Sequence, residues 1–182
     1  MERAAKMTII LGTNGTGKTT LLRNILTQSS QRALIVTPDA AEWLHYPEND
    51  LATPDRYHFS GIERHIFNPY GGSLERIAYF SRGILVFDDC RSYLKAATDE
   101  RIHDILIRRR QRMIDVFAVG HGFNEVPPVF FTFCSDMFLF RTTDNIARRR
   151  DCLQKYDELR AVQARVNTKA KTQPHYNEYI KF

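Results

Sequence analysis

Residues 12–19 constrain this chain more than any other stretch of its sequence. They read Gly-Thr-Asn-Gly-Thr-Gly-Lys-Thr and match the pattern G-x-x-x-x-G-K-[ST] at every specified position. The apolar run Met7–Leu11 predicts a buried strand before this stretch, and residues 19–26 predict a helix after it. A glycine-rich turn between a strand and a helix is the setting in which this pattern forms a phosphate-binding loop. The sequence therefore predicts that the chain binds a nucleoside triphosphate.

Each residue type in this loop has a physical role in holding phosphates. Gly12, Gly15 and Gly17 are expected because backbone N–H groups must turn inward, in conformations that disfavour a Cβ. The positive end of the following helix favours an anion at the same place. Lys18 is expected to bind the β- and γ-phosphates of ATP, and the Thr19 hydroxyl to bind Mg²⁺. The predicted nucleotide contacts are Gly12, Thr13, Asn14, Gly15, Thr16, Gly17, Lys18, Thr19 and, beside the α-phosphate, Thr20.

Length and composition indicate one folded domain with a short tail. The chain has 182 residues, of which 43% are hydrophobic and 26% charged, as in ordinary globular proteins. We expect an ATPase domain over residues 1–166, with a proline-containing irregular insertion at about 38–70, and a C-terminal tail over 167–182. The N-terminal residues lead directly into a strand, and no run of 18 apolar residues follows. The expected location is the cytoplasm or a particle, without membrane insertion.

Charge and cysteine content narrow the possible partners and cofactors. The 26 Lys and Arg residues against 21 Asp and Glu give a formal net charge of +5, which fits a polyanionic partner without identifying it. Cys90, Cys134 and Cys152 lie far apart and form no C-x-x-C pair. This spacing argues against a zinc site and against a disulfide framework.

Short apolar runs alternate with helical patterns along most of the chain. This alternation predicts an α/β fold with a mostly parallel central sheet flanked by helices. The predicted strands are residues 8–11, 33–37, 83–87, 116–119 and 137–140. A further strand is expected at residues 57–59, and a long C-terminal helix over about 144–166.

A hydrophobic strand ending in two carboxylates lies about 70 residues after the glycine-rich loop. Residues 84–89 read Ile-Leu-Val-Phe-Asp-Asp, and in NTPases such a strand delivers acids to the nucleotide crevice. Asp88 is expected to hold Mg²⁺ through water, and Asp89 to orient or deprotonate the attacking water. Many hydrolases carry Glu at the second position, and Asp89 is one methylene shorter. Paired acids also occur in ordinary turns at strand ends.

His121 follows another predicted strand, in a Gly-His-Gly sequence. At the carboxyl end of a strand beside the 83–87 strand, its imidazole could contact the γ-phosphate and signal the loss of that phosphate to the rest of the protein. A lone histidine also commonly satisfies the backbone groups of a loop. The sequence favours the sensor role and leaves the second interpretation open.

Arginines are concentrated at residues 108–112 and again at 148–150. The first cluster has three interpretations: a solvated helix face, a phosphate-contact surface, or the source of an arginine finger that reaches a neighbouring subunit. A finger supplied by a neighbour would make hydrolysis depend on assembly. The second cluster is another candidate contact for a polyanion, with a solvated surface as the alternative.

Three stretches between residues 110 and 141 resemble the HerA/FtsK superfamily of ATPases. Residues 110–116 (Arg-Gln-Arg-Met-Ile-Asp-Val) are similar to that family's arginine-bearing helix end and the start of its sensor strand. Residues 121–128 resemble its proline-containing loop, and residues 136–141 its final strand, which closes in an arginine. The similarity spans about residues 7–145 and implies a P-loop NTPase with a RecA/HerA-like core. Within the superfamily, the chain resembles the small genome-packaging ATPases of viruses and the Zot-like ATPases of filamentous phages.

The resemblance also implies a role for individual residues. It implies Lys18 and Thr19 for phosphates and metal, Asp88 and Asp89 as the Walker B pair, and His121 at the sensor position. Relatives often carry Gln or Asn at that last position, so the duty of a histidine there is not implied. Arg110 corresponds to the arginine before the sensor strand and Arg141 to the one after the last core strand. Either of these two arginines could be the finger.

The function that the resemblance implies is ATP-driven translocation of nucleic acid. The expected cofactors are ATP and Mg²⁺, and the expected partners are DNA such as a viral genome, further copies of the chain in a ring, and capsid or vertex proteins. A membrane-spanning segment, expected of a Zot-type secretion protein, is not found in the sequence, which favours packaging. Two other classes remain open: a nucleotide-dependent assembly factor of Zot-like type, and a small phosphotransferase such as a nucleotide kinase.

Overall fold

In the computed structural model, which describes residues 5–93 and 96–182, seven strands form one sheet. The strands are β1 (Met7–Leu11), β2 (Ala33–Thr37), β3 (Ile62–Ile66), β4 (Gly83–Phe87), β5 (Ile114–Gly120), β6 (Asp136–Phe140) and β7 (Asn177–Lys181). Their order is β3-β2-β4-β5-β1-β6-β7, and every neighbouring pair is parallel except β6 and β7. The predicted α/β fold with a mostly parallel sheet is confirmed. Residues 1–4, predicted to lead into β1, lie outside the described residues.

Five α-helices cover the two faces of the sheet in the described ranges. They are α1 (Lys18–Gln28), α2 (Ser73–Ile77), α3 (Ala96–Arg108), α4 (Pro128–Thr132) and α5 (Tyr156–Lys169). Apolar side chains of α1 pack on one face, and those of the other four helices pack on the opposite face. None of the helices in residues 5–93 and 96–182 combines the length and the apolar character needed to cross a membrane.

The central strands bury side chains on both faces of the sheet. In β1, Ile9 and Leu11 point into the core beneath α2 to α5, whereas Ile10 points toward Leu22 and Leu26 of α1. Successive residues of a strand face opposite sides, so a strand covered on both faces must be apolar throughout. This explains why the sequence shows continuous apolar runs rather than an alternating pattern. It also fixes α1, and the glycine-rich loop before it, against β1.

Strand β3 lies inside the stretch that the sequence predicts to be irregular. Its sequence, Ile-Glu-Arg-His-Ile, is polar at three of five positions, so it lacks the apolar run of a buried strand. Hydrogen bonds pair most of its buried polar groups: the His65 ring lies 2.7 Å from the Asn49 carbonyl oxygen and 3.0 Å from Ser73 Oγ. Arg64 donates from Nη1 to a backbone oxygen of the preceding segment. Tertiary partners therefore override a weak local pattern.

Residues 54–59 also differ from the prediction. The expected strand at 57–59 is wrong, because a 3₁₀ helix, Pro54–Tyr57, ends there and the next strand begins at Ile62. Proline at the start of this turn provides the fixed φ angle that begins a helical turn and has no N–H for a strand ladder.

The C-terminal region forms a shorter helix and an additional strand. The predicted helix over 144–166 is a 3₁₀ turn, Ile146–Arg149, followed by α5, which starts at Tyr156. The polar segment after α5 then packs on its own chain, since β7 pairs with β6 and buries Ile180. Arg165 of α5 donates from Nε to Oε1 of Glu178 at 2.7 Å. β7 thereby becomes the terminal strand on this side of the sheet.

We expect Ile180→Ala to destabilise the fold substantially. Ile180 is 5% exposed and packs in the core, and truncation of a buried isoleucine costs about 2–5 kcal/mol. The matched control is Ile107→Ala on α3, where the side chain is 53% exposed and the change should stay within about 0.5 kcal/mol. Urea unfolding measures both free energies. Equal losses in the two variants would show that β7 is not an integral part of the core.

Candidate nucleotide-binding site

The carboxyl ends of β1, β2, β4 and β5 meet around a cavity of about 540 Å³. Ligands of open α/β sheets bind in the crevice at this edge, where the loops after neighbouring strands diverge. The predicted site residues that line the cavity are Asn14, Gly15, Gly17, Lys18, Thr19, Thr20, Asp88, Asp89 and His121. The fold therefore brings the glycine-rich loop, the acidic strand end and the histidine loop together.

Two of the three loop glycines have the backbone conformation that the sequence predicts. Gly15 and Gly17 have φ angles of +73° and +101°, in the left-handed region that favours glycine. Gly12 is required for a different reason, because it lies outside that region. A Cβ added to Gly12 would lie 2.5 Å from the Phe140 Cβ and 2.7 Å from Thr16 Oγ1. Close packing under the loop, rather than an inward-turning backbone, excludes a side chain there.

Hydrogen bonds to the ends of β5 and β6 hold the loop in place. The Gly12 N–H donates to the Gly120 carbonyl at 3.1 Å, and the Thr13 N–H donates to the Arg141 carbonyl at 2.8 Å. The buried Thr16 hydroxyl donates to the Thr13 carbonyl at 2.8 Å. Thr13 and Thr16 thus shape the loop from within, and neither lines the main cavity.

Lys18 is held at the centre of the loop by backbone carbonyls. Its Nζ donates to the carbonyl oxygens of Gly12 at 2.6 Å and Thr13 at 3.1 Å, and lies 3.5 Å from Nδ1 of His121. Burial lowers the pKa of Lys18, while the nearby Asp88 is the strongest of several carboxylates that act in the opposite direction. The Lys18 ammonium group has N–H donors only, so it needs other acceptors if it leaves the two carbonyl oxygens. The phosphate oxygens of a bound nucleotide could be those acceptors.

Asp88 and Asp89 occupy the predicted position at the carboxyl end of β4. Burial raises the pKa of Asp88, and a hydrogen bond from Trp43 Nε1 to its Oδ2, at 2.6 Å, opposes this rise. Asp89 has φ of +45°, a left-handed conformation that costs a non-glycine residue about 1–3 kcal/mol and clusters at functional sites. Its Oδ1 is buried and accepts no hydrogen bond from the described residues. Such an atom marks a place where a water molecule or ligand completes the site.

The residues present fit the Mg²⁺ ion that accompanies a nucleoside triphosphate. Thr19 and Asp88 line the same cavity. Within the described ranges, no group of three or more His, Cys, Asp or Glu side chains could hold a metal by itself. Mg²⁺ commonly takes one or two protein ligands, several waters and phosphate oxygens, so a hydroxyl and a carboxylate suffice if a triphosphate is bound.

His121 lines both the main cavity and a second cavity of about 480 Å³. Arg141 lies in this second cavity, beside the glycine-rich loop of its own chain. Oε2 of Glu125 and Oδ1 of Asp144 are buried near it and accept no hydrogen bond from the described residues. Two acceptor atoms without a partner among the described residues therefore lie buried in residues that line the second cavity. The sensor role of His121 stays a prediction.

Arg110 lies at the opposite edge of the sheet from the glycine-rich loop. It precedes β5, whose carboxyl end carries His121, and β5 spans seven residues. At about 3.3 Å per residue, this strand separates Arg110 from the cavity by roughly 20 Å. Arg110 could act in hydrolysis only at the site of another copy, and this role remains a prediction.

Sequence reasoning did not identify the titratable cavity residues Asp39, Glu42 and His175, or Trp43, which donates to Asp88. Asp39 and Glu42 line the cavity from the segment after β2, and the same segment carries Trp43. Burial raises the pKa of Glu42, and Asp88 is the next strongest cause. The end of the predicted 33–37 strand was a signal for Asp39, because all parallel strands of the sheet end at this edge. No signal indicated His175, which reaches the cavity only because β7 joins the sheet.

Comparison with known proteins shows which fold this is. No protein-family model matches the sequence, and a search of curated proteins finds no relative. The genome-packaging NTPase B204 from Sulfolobus turreted icosahedral virus 2, in complex with AMP, matches with a TM-score of 0.67 and 12% identity, over 97% of this chain and 92% of that chain. The chain has the fold of a viral genome-packaging ATPase.

Other solved structures give the same result. The AMPPCP complex of that NTPase has a TM-score of 0.61 and 12% identity, and covers 97% of both chains. The DNA-packaging ATPase B204 from Sulfolobus turreted icosahedral virus has a TM-score of 0.60 and 11% identity, also over 97% of both chains. The predicted P-loop NTPase fold is thereby confirmed, and it is the fold of these packaging ATPases.

We expect Gly17→Ala to abolish nucleotide binding. The new Cβ would lie 3.4 Å from Nδ1 of His175 and 3.7 Å from the Phe140 ring, on a backbone with positive φ. Gly61→Ala is the matched control, since Gly61 also has positive φ (+78°) but open space around it and a position away from the cavity. Both variants should lose about 1 kcal/mol of stability from backbone strain. Titration of a fluorescent ATP analogue separates them, and equal affinities in the two variants would contradict the assignment of the loop.

Proposed function

We propose that the chain binds ATP with Mg²⁺ in the main cavity and hydrolyses it to ADP and phosphate. The observation that supports this most strongly is the convergence of Lys18, Asp88, Asp89 and His121 on one cavity, although Lys18 and His121 are 103 positions apart in the chain. A cation for phosphates, an acid for a metal and an acid for water are the parts that phosphoryl transfer to water requires.

Binding uses the loop and the start of α1. Backbone N–H groups of the loop and the positive end of the helix dipole attract the phosphates. Lys18 exchanges the carbonyl oxygens of Gly12 and Thr13 for β- and γ-phosphate oxygens. Thr19 and Asp88 would hold Mg²⁺, which neutralises negative charge on the phosphates.

Hydrolysis uses Asp89 and His121. The oxygen of a water molecule attacks the γ-phosphorus, the bond from that phosphorus to the bridging oxygen breaks, and ADP leaves with the electron pair. Asp89, which lines the cavity, orients this water and accepts its proton. His121, close to the Lys18 ammonium group, contacts the γ-phosphate and responds when it leaves.

Lys18→Ala and Asp89→Asn should separate binding from turnover. Removing the ammonium group should weaken ATP binding at least about tenfold, because it leaves phosphate charge unpaired. Asp89→Asn should retain binding but lower the turnover rate by about 10²-fold or more, because the amide cannot accept the proton. Analogue titration and phosphate release measure the two steps, with the exposed Asp151→Asn as control. If Asp89→Asn turns over ATP at the normal rate, Asp89 is not the base.

We further propose that several copies assemble into a ring that translocates DNA, as in packaging of a viral genome. The fold match across 97% of the chain to a DNA-packaging ATPase supports this, as does the net charge of +5. The opposite placement of Arg110 and Arg141 also supports it, because a ring could bring the arginine of one copy to the cavity of the next. Capsid or vertex proteins are the expected partners, and the host cytoplasm or the virion is the expected location.

Single- and double-stranded DNA should stimulate ATP hydrolysis several-fold, and ATP should favour a larger species in sedimentation. Coupling of DNA to hydrolysis distinguishes a translocase from the other two function classes. Insensitivity to both DNA forms would favour a nucleotide-dependent assembly factor. Transfer of phosphate to a nucleoside monophosphate would favour a phosphotransferase. A strict monomer under all conditions would contradict the ring.

A further inference from the structure

We propose that Trp43 is a positioning residue, whose indole N–H orients the carboxylate of Asp88 toward the Mg²⁺ of the bound nucleotide. This inference rests on the proposed ATPase function of the main cavity and adds a residue from the 38–70 segment to its metal site. The observation is direct: Trp43 Nε1 donates to Oδ2 of Asp88 at 2.6 Å.

The hydrogen bond restricts how Asp88 can use its remaining acceptor positions. A carboxylate offers about four lone-pair positions. The indole N–H occupies one of them, on Oδ2. Asp88 lines the cavity, so the free lone pairs are those available to a ligand there. A carboxylate held by a buried indole donor in this way cannot rotate freely, and its ligating direction is set before the metal arrives.

Packing fixes the direction of the indole donor. Trp43 is 5% exposed and lies in the apolar cluster on the α1 face of the sheet, with Ile10, Leu22 and Val86. The Arg23 guanidinium lies over the indole ring, 5.9 Å from its centroid. A side chain enclosed on several sides cannot swing away from Asp88 without leaving the core. These contacts favour a permanent support over a latch that opens when nucleotide binds.

The backbone has a rare conformation at the donor residue, Trp43, and at the residue after the acceptor, Asp89. Trp43 has φ of +58°, and Asp89, next to its acceptor, has φ of +45°. A bulky residue in the left-handed region is uncommon and persists only when the surroundings enforce it. The segment that contains Trp43 also places Asp39 and Glu42 at the cavity. The segment is thus shaped around the contact with Asp88.

Trp43→Phe tests the proposal because it keeps an aromatic ring in the core and removes only the donor group and part of the ring area. We expect unchanged affinity for a fluorescent ATP analogue in EDTA, and a Mg²⁺ concentration for half-maximal enhancement of binding that rises at least about tenfold. Loss of the group that orients a metal ligand typically weakens metal affinity by about 10–100-fold. Tyr46→Phe is the matched control, since its ring lies 6.1 Å from the Trp43 ring and Tyr46 does not line the cavity.

Intrinsic fluorescence provides a second readout without catalysis. Trp43 is the only tryptophan of the chain, so emission excited at the long-wavelength edge of indole absorption, where the tyrosines absorb little, reports on this indole alone. Addition of Mg²⁺ with AMPPCP should change the emission, AMPPCP in EDTA should change it much less, and Asp88→Asn should remove the difference. This fluorescence measurement still tests the proposal if Trp43→Phe fails to fold, because it uses the wild-type indole.

A folded Trp43→Phe variant with an unchanged Mg²⁺ midpoint would overturn the proposal, because the indole would then serve packing alone. Emission of the wild-type protein that does not respond to Mg²⁺ would overturn it as well. If the wild-type protein binds no nucleotide with or without Mg²⁺, the proposed function itself fails, and this outcome is distinct from the other two.

Discussion

Six parallel strands end at one edge of the sheet, and every property of the site depends on this alignment. Because β5 inserts between β1 and β4, the phosphate loop and the acidic strand end face each other across the position of His121. The fold thereby forms a cavity at the carboxyl edge from residues that are distant in the chain. The same geometry leaves Arg110 at the other edge, where it is available to another molecule.

The cavity is strongly anionic before any nucleotide enters. One cation, Lys18, lies opposite the carboxylates of Asp39, Glu42, Asp88 and Asp89. Burial raises the pKa values of Asp88 and Glu42 and lowers that of Lys18, which shows that each charged form is held at a cost in free energy. Free ATP would add further negative charge to these acids. A divalent cation that arrives with the phosphates offsets this repulsion, so we expect nucleotide affinity to depend on Mg²⁺.

Local patterns predicted the centre of the site, and tertiary contacts determined its rim. The phosphate loop and the 84–89 strand were recognisable because their chemistry lies in contiguous residues. β3 was missed because its polar side chains are satisfied by distant partners such as Asn49 and Ser73. β7 was missed for a similar reason, and with it His175. Trp43 belongs to no motif, and its role follows only from a contact with a residue 45 positions away.

A crystal structure with AMPPCP and Mn²⁺ in place of Mg²⁺ would test the central claim most directly, since the anomalous signal of manganese locates the metal. We expect the triphosphate within the 12–19 loop, with Lys18 at its β- and γ-phosphates. We expect the metal between a phosphate oxygen, the Thr19 hydroxyl and the Asp88 carboxylate or a water molecule bound to that carboxylate. A nucleotide bound elsewhere, or a metal without contact to either residue, would contradict the central claim.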